Sequence, residues 1–222
     1  SVSMKRYLTL LLSACLLVSC LPPSEIVITV IGTTDVHGEL LPRDDGGGLL
    51  TISGYVNAVR NARAGDGGAV LLIDAGDMWQ GKLESNLSEG ATLVEAYNSL
   101  GYTAVALGNH EFDFGPVGPL PMPKSATDDP RGALKQRATE ANFPFLAANL
   151  IDQSTGEPVQ WPNVQPSALI DVKGVKVGII GVMPERALTT SIAANVVGLS
   201  IAPLATTIEK EARALRESGA SI

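Results

Sequence analysis

Short apolar runs alternate along the chain with stretches in which apolar residues recur every three or four positions. Three of the runs predict buried strands, at residues 26–31, 69–73 and 103–107. The four apolar positions from Leu49 to Val59 predict an amphipathic helix between the first two strands. A second helix is predicted over residues 91–100, with Gly101 as its C-cap. Strands that alternate with helices indicate an α/β fold with a layered core.

The second half of the chain is less regular. Residues 116–130 contain five prolines and predict a surface loop. A helix over 132–141 and a short strand at 145–148 are expected to follow. Apolar runs on both sides of Lys173-Gly174 predict a tight hairpin, and the helical spacing from Leu204 to Leu215 predicts a last helix before a strand that begins near Ile222.

Composition narrows the classes of function. The formal net charge of −7 argues against a protein that coats a nucleic acid polymer, although it says little about a small phosphate substrate. The two cysteines, Cys15 and Cys20, both lie in the N-terminal apolar segment. We therefore expect neither a disulfide nor a thiolate metal site in the body of the protein.

The N-terminus has the pattern of an export signal. A basic pair precedes an apolar run at residues 7–18, which is too short for a membrane span of about 20 residues. Residues 4–20 therefore predict a signal peptide, and its end, Leu17-Val18-Ser19-Cys20, resembles the lipobox of bacterial lipoproteins. This predicts a lipid anchor on Cys20, a tether at 21–25, and a periplasmic or cell-surface location. A plain signal peptide with an incidental cysteine is the alternative.

Polar residues of metal-ligand type follow each of the first three predicted strands. Asp35 and His37 follow the first, Asp77 the second, and Asn109 with His110 the third. Loops at the carboxyl ends of neighbouring strands meet at one sheet edge, so these side chains are expected to converge. If the Asp35–His37 segment is extended, the two side chains point the same way. The mixed nitrogen and oxygen ligands suit Zn, Mn, Fe or Ni.

The ordered set Asp-x-His, Gly-Asp and Gly-Asn-His-Glu resembles the signature of the calcineurin-like metallophosphoesterases. The blocks at residues 34–38, 74–81 and 108–115 are closest to the 5'-nucleotidase branch of that family, and 147–149 and 178–182 look like its later blocks. The resemblance implies a layered β-sandwich flanked by helices. It also implies that residues 26–222 are the N-terminal part of the catalytic domain, incomplete at the C-terminus, because no histidine follows His110.

The resemblance further implies roles for single residues and a cofactor of two divalent metal ions, Zn, Mn or similar. Asp35 and His37 would bind the first ion, Asp77 would bridge both, and Asn109 would bind the second. His110 would stabilise the transition state or protonate the leaving oxygen, with Asp113 orienting its imidazole.

Each of these residues also has a plainer interpretation. Asp35 and His37 alone would fit an ordinary strand-end turn, Asp77 could serve turn chemistry, Asn109 could adopt a left-handed conformation, and His110 could be a core histidine. Among the other residues of the blocks, Asp74 is expected to support the metal ligands or to cap a helix. Trp79, Gln80 and Glu111 are expected to shape the pocket. Asn149 could support either the site or the fold.

The resemblance implies a hydrolase of phosphate esters, a 5'-nucleotidase that attacks extracytoplasmic nucleotides with metal-bound hydroxide. The alternatives within the family are a 2',3'-cyclic-nucleotide phosphodiesterase, a nucleotide-sugar hydrolase and a thiohydrolase. From another class, a non-catalytic ligand-binding lipoprotein remains open. A chain that lacks downstream ligands is expected to be weakly active or inactive by itself.

Overall fold

The computed structural model describes residues 25–44 and 46–222. The predicted signal peptide, the lipobox cysteine Cys20 and all but the last residue of the predicted tether lie outside these residues. Within the described ranges, no helix is both long enough and apolar enough to cross a membrane.

In the described part of the chain, ten strands form three sheets. The strands are β1 (Ile28–Thr33), β2 (Ala69–Asp74), β3 (Ala104–Ala106), β4 (Phe145–Leu146), β5 (Leu150–Asp152), β6 (Glu157–Pro158), β7 (Val164–Gln165), β8 (Ser167–Val172), β9 (Val175–Ile180) and β10 (Leu199–Ile201). The central sheet has the order β1-β2-β3-β4-β7, and all of its strand pairs are parallel. A three-stranded antiparallel sheet has the order β10-β5-β6, and β8 pairs with β9.

Six α-helices and two 3₁₀ turns accompany these strands among the residues that the structure describes. The helices are α1 (Leu49–Gly65), α2 (Leu83–Asn86), α3 (Ala91–Leu100), α4 (Gly132–Glu140), α5 (Ala187–Thr190) and α6 (Leu204–Glu217), and the 3₁₀ turns span His110–Phe112 and Ala193–Asn195. Helix α3 has the predicted bounds, and Gly101 caps it in the left-handed conformation at φ 68°. The predicted loop at 116–130 contains neither helix nor strand.

One face of the central sheet packs against helices. Leu72, Val105 and Phe145 from the sheet share one buried cluster with Leu49 and Val56 of α1 and Leu93 and Tyr97 of α3. The two positions are seven residues apart in α1 and four apart in α3, so each pair lies on one side of its helix and faces the sheet.

The other face is covered by the β8–β9 hairpin. Val172 and Val177 of the hairpin pack on Leu71 of β2. Alternation along β9 turns Gly178 to the opposite side, where a Cβ atom would lie 2.9 Å from Leu215 of α6. The layers therefore run helix, sheet, sheet, helix, and the predicted β-sandwich flanked by helices is confirmed.

The hairpin turn fits the prediction made for Lys173-Gly174. Both residues have positive φ, 54° and 88°, as a two-residue primed turn requires. At the other side of β9, Gly178 N donates to Ile222 O at 2.8 Å and Ser221 N donates to Lys176 O at 2.8 Å. The last residues of the chain therefore lie along β9 in the pattern of a parallel ladder.

Candidate metal centre and active site

The loops that follow β1 and β2 continue side by side past the ends of the strands. Asp35 N donates to Gly76 O at 3.1 Å, and His37 N donates to Asp77 O at 3.0 Å. Gly38 N then donates to Met78 O at 3.0 Å. The two loops are thus bonded to each other, which fixes the distance between the candidate ligands that they carry.

The backbone at these ligands is left-handed. Asp35, His37 and Asp77 have φ values of 51°, 49° and 57°. The Asp35–His37 segment is therefore not extended, because the chain turns at both residues. Their side chains nevertheless lie close together, with His37 Nε2 3.8 Å from Asp35 Oδ1.

Three side chains, one from each loop, form a group that could hold a metal ion. His37, Asp77 and His110 each offer one ligand atom, and these atoms lie within 4.8 Å of one another. The two imidazole rings meet edge to face, with centroids 4.8 Å apart and an interplanar angle of 75°. His37 Nδ1 lies 3.1 Å from Gln80 O, so a proton on Nδ1 would be donated there and would leave Nε2 as the ligand.

A close approach between the second and third loops requires glycine. A Cβ atom on Gly108 would lie 2.2 Å from Asp77 Oδ1, and one on Gly76 would lie 2.7 Å from Gly108 N. The same Asp77 Oδ1 accepts a hydrogen bond from His110 N at 2.9 Å. The Asp77 carboxylate is thereby oriented by backbone of the neighbouring loop.

Glu111 ties the same two loops together from beneath. Its Oε2 accepts from Gly108 N at 2.6 Å and from Asp77 N at 2.9 Å, and its Oε1 accepts from Met78 N at 2.9 Å. Complete burial, with the Asp77 carboxylate as a second cause, raises the pKa of Glu111 to about 8. The three N–H donors oppose this shift by favouring the carboxylate. Glu111 bonds to the backbone of both loops and so supports them from the core.

Asp74 and Trp79 support the site from the core. Asp74 accepts from Gly76 N at 2.8 Å, from the Tyr97 hydroxyl at 3.0 Å and from the Thr33 hydroxyl at 2.5 Å. Burial raises the pKa of Asp74 to about 6. Its role is to hold the turn after β2, and no helix begins there for it to cap. The fully buried Trp79 donates from Nε1 to His110 O at 3.0 Å.

His110 carries a second interaction of a different kind. Its Nδ1 lies 2.6 Å from Asp113 Oδ2, within the same short loop. The preceding Asn109 has right-handed helical geometry at φ −77° and ψ −30°, so the left-handed alternative for this residue is wrong.

The arrangement differs in two respects from the ligand set that the resemblance implies. Asp35 lies beside His37 but outside the His37–Asp77–His110 group, while His110, expected in catalysis, lies inside it. Asn149 binds the backbone of Met183 through both ends of its amide, at 2.8 Å each, so its contacts are structural. Sequence analysis missed Ser191 and Asn195, which bond to the backbone around His110 and belong to no recognisable motif.

The donor chemistry of the group fits a divalent metal ion. Two imidazoles and one carboxylate give mixed nitrogen and oxygen ligands, which suit first-row transition ions and zinc. No cysteine lies among the described residues, which leaves no thiolate to compete.

Comparison with curated proteins places this chain among nucleotidases. It is 35% identical over 159 residues to Protein UshA of Yersinia enterocolitica, an alignment covering 71% of this chain and 26% of that protein. It is 32% identical over 159 residues to a 5'-nucleotidase of Vibrio parahaemolyticus, with 71% and 25% covered. The chain thus spans about a quarter of the length of these relatives. No protein-family model matches it.

Solved structures agree with this placement. A 5'-nucleotidase precursor from Thermus thermophilus superimposes with a TM-score of 0.66 at 27% identity, covering 87% of this chain and 35% of that one. The calcineurin-like phosphoesterase YfkN from Bacillus subtilis shares the fold, with a TM-score of 0.63 at 20% identity, covering 88% and 60%. The layered sandwich, the three loops and these similarities together show that the chain belongs to the 5'-nucleotidase family of calcineurin-like phosphoesterases.

Proposed function

We propose that the complete protein is a metal-dependent phosphoesterase that releases phosphate from nucleotides, as a 5'-nucleotidase. One observation carries the proposal: the same imidazole, His110, lies in the donor group with His37 and Asp77 and is bonded to Asp113 at 2.6 Å. An imidazole that a carboxylate orients beside a possible metal site is well placed to pass a proton to a reacting group. The name 5'-nucleotidase of the curated relatives supports the substrate class.

The candidate ligands would hold two divalent cations. Asp35 and His37 would bind one cation and Asn109 the other, with the Asp77 carboxylate between them. Because Asp77 Oδ1 already accepts from His110 N, the orientation of this bridging carboxylate is set before any metal binds. When bound, such cations activate water and neutralise charge on the phosphoryl oxygens.

His110 would serve the leaving group. The Asp113 carboxylate accepts from Nδ1–H and holds the ring in one orientation, so Nε2 would be the atom that donates a proton to the oxygen that departs from phosphorus. Asp113 is itself shielded, with 13% of its side chain exposed, so water competes little for its hydrogen bond to Nδ1. The dyad therefore supplies a proton at the position where negative charge develops.

The N-terminal sequence supports an extracytoplasmic site of action. The Leu17-Val18-Ser19-Cys20 sequence after a short apolar run is the motivation for export and for anchoring through a lipidated Cys20. Nucleotides outside the cytoplasm would then be the substrates. The membrane would be a partner of the protein through the lipid anchor.

Phosphate release from a nucleoside 5'-monophosphate tests the proposal. The complete gene product should lose activity on chelation and regain it with Zn²⁺ or Mn²⁺, and Asp77→Asn should abolish the recovery. Asp171→Asn is a matched control, because Asp171 lies at the hairpin turn, whose Lys173 contacts Gly67 at the opposite edge of the sheet. Faster hydrolysis of a 2',3'-cyclic nucleotide or a nucleotide sugar would assign the enzyme to another substrate class of the same family. Activity indifferent to chelation would refute the metal-dependent mechanism.

A further inference from the structure

We infer that Asn195 and Ser191 are positioning residues that hold the catalytic imidazole in place by gripping the turn that carries it, here called the His110 turn (residues 109–113). The inference rests on the proposed function of His110, but its structural content is separate from that function. Neither residue touches the donor group in the described structure, and both act on backbone.

Asn195 holds the far end of the His110 turn. Its side chain is fully buried, and its Nδ2 donates to Phe112 O at 2.7 Å and to Pro121 O at 2.8 Å. Both neighbours are carbonyls, which only accept, so the amide must present its NH₂ group to them. Phe112 directly precedes Asp113, so fixing the Phe112 carbonyl fixes the peptide plane from which Asp113 reaches His110.

The oxygen end of the same amide is unfavourably placed. Asn195 Oδ1 is buried and has no hydrogen-bond partner among the described residues. An unpaired buried acceptor is unfavourable, and an apolar residue would remove that penalty. The two bonds from Nδ2 are what an apolar residue could not supply.

Ser191 holds the near end of the turn. Its hydroxyl lies within hydrogen-bond distance of Asn109 O at 3.2 Å and of Ala187 O at 3.1 Å. Trp79 Nε1 donates a hydrogen bond to the carbonyl oxygen of His110 itself. Side chains from two regions of the sequence, Trp79 and the segment 191–195, therefore bind the carbonyls of Asn109, His110 and Phe112. His110 lies between the two outer contacts.

The supporting segment is in turn fixed to the body of the domain. Arg131 donates from one terminal nitrogen to Asn195 O at 3.3 Å and to Val197 O at 3.0 Å. Its guanidinium lies 5.9 Å from the ring centroid of Trp161, and that ring meets Phe112 at 6.3 Å. Asn195 is thus held at its backbone while its side chain holds the turn.

Imidazole N–H spectroscopy tests the grip directly. The chain has two histidines, so the His110 Nδ1–H proton bonded to Asp113 can be assigned by its loss in Asp113→Asn. Asn195→Ala should broaden or remove this resonance while leaving the signals of His37 in place. The matched control is Asn163→Gly, since Asn163 Nδ2 also donates to backbone carbonyls, including Phe143 O at 2.8 Å, and its φ of 53° is readily adopted by glycine. An unchanged His110 resonance in Asn195→Ala, or equal loss in Asn163→Gly, would overturn the inference.

Kinetics of the complete gene product give a second readout. Asn195→Ala should lower kcat about 10-fold or more with KM within about two-fold, because a misplaced acid affects the transition state more than binding. Ser191→Ala should show a smaller effect in the same direction, and Ser191→Thr, which keeps the hydroxyl, should restore kcat. If Asn195→Ala does not fold, the Ser191 pair carries the test, and equal kcat in Ser191→Ala and wild type would count against positioning. An inactive wild type would refute the proposed function while leaving the spectroscopic result intact.

Discussion

His110 and Asp113 are joined at 2.6 Å between Nδ1 and Oδ2, within a loop that also holds His110 against the Asp77 carboxylate through its backbone N–H. The imidazole is therefore tied on one side to a carboxylate outside the donor group, and its backbone is tied to a carboxylate inside that group. Under the proposed function, the backbone bond would set the geometry of the metal site, and the bond to Asp113 would serve proton transfer.

Loss of the Asp113 charge should slow turnover without removing metal. We expect Asp113→Asn to lower kcat by about 10²-fold, because an amide can turn either its oxygen or its NH₂ group to Nδ1 and no longer fixes the tautomer of the imidazole. KM and bound metal, measured by steady-state kinetics and elemental analysis, should stay near wild type. Asp66→Asn on the surface serves as the control. Metal loss in Asp113→Asn would show that the carboxylate acts on the centre instead of on the imidazole.

Asp77 and His110 should be separable by metal content. Asp77→Asn preserves a residue type that accepts left-handed backbone, so its effect reports the lost charge. We expect it to abolish both metal binding and activity, whereas His110→Asn should lower turnover by about 10²-fold or more with most of the metal retained. Equal metal loss in both variants would make His110 a ligand, as its place in the donor group permits.

Asp74 predicts a pH dependence of stability. Burial raises its pKa in the folded protein to about 6 from an ordinary value of 3.8, so the folded state binds the extra proton between these values. Stability should therefore fall as pH rises from about 4 to about 6, by up to about 2–3 kcal/mol from this group. In urea unfolding, Asp74→Asn should gain on wild type as pH rises through this window. Parallel stability profiles for the two proteins would contradict the assignment.

Lipid attachment should depend on one sulfur atom. Metabolic labelling with a fatty-acid analogue should mark the wild-type protein and leave Cys20→Ala unlabelled, because the lipobox pattern ends at Cys20. Since a single acyl chain binds membranes only marginally, fractionation should also show whether more than one chain is attached. Cys15→Ala is the control, and equal labelling of the Cys20 variant would exclude the anchor.

Much of the frame could be predicted from periodicity. The apolar spacing of α3 and the glycine after it fixed both of its ends, and Lys173-Gly174 between two apolar runs predicted the β8–β9 hairpin. The sequence predicts the first strand at 26–31, whereas β1 spans Ile28–Thr33. A β-branched run therefore predicts that a strand exists better than it predicts where the strand begins and ends. Strands β6 and β7, with two residues each, are too short for any alternation to appear.

The three loops were found because their residue types follow strands in sequence. Their left-handed backbone was not predicted at Asp35, His37 or Asp77, since the two loops turn in order to bond to each other, and this depends on residues about 40 positions away. The contact of Asn195 with the His110 turn could not be predicted for the same reason. Asn195 lies 83 residues from Phe112, and its value is visible only once the chain has returned to the His110 turn.

The left-handed backbone at Asp35, His37 and Asp77 restricts how this site can change in evolution. Asparagine, aspartate and histidine are the side chains that tolerate positive φ best after glycine, so the ligands that the chemistry needs are also those that the loops accept. Replacement by asparagine would erase charge or basicity and leave the loop shape intact. A lineage could therefore lose the proposed metal centre in a single step and keep the arrangement of the loops, whereas a β-branched replacement would not tolerate the left-handed backbone and would require the loops to change.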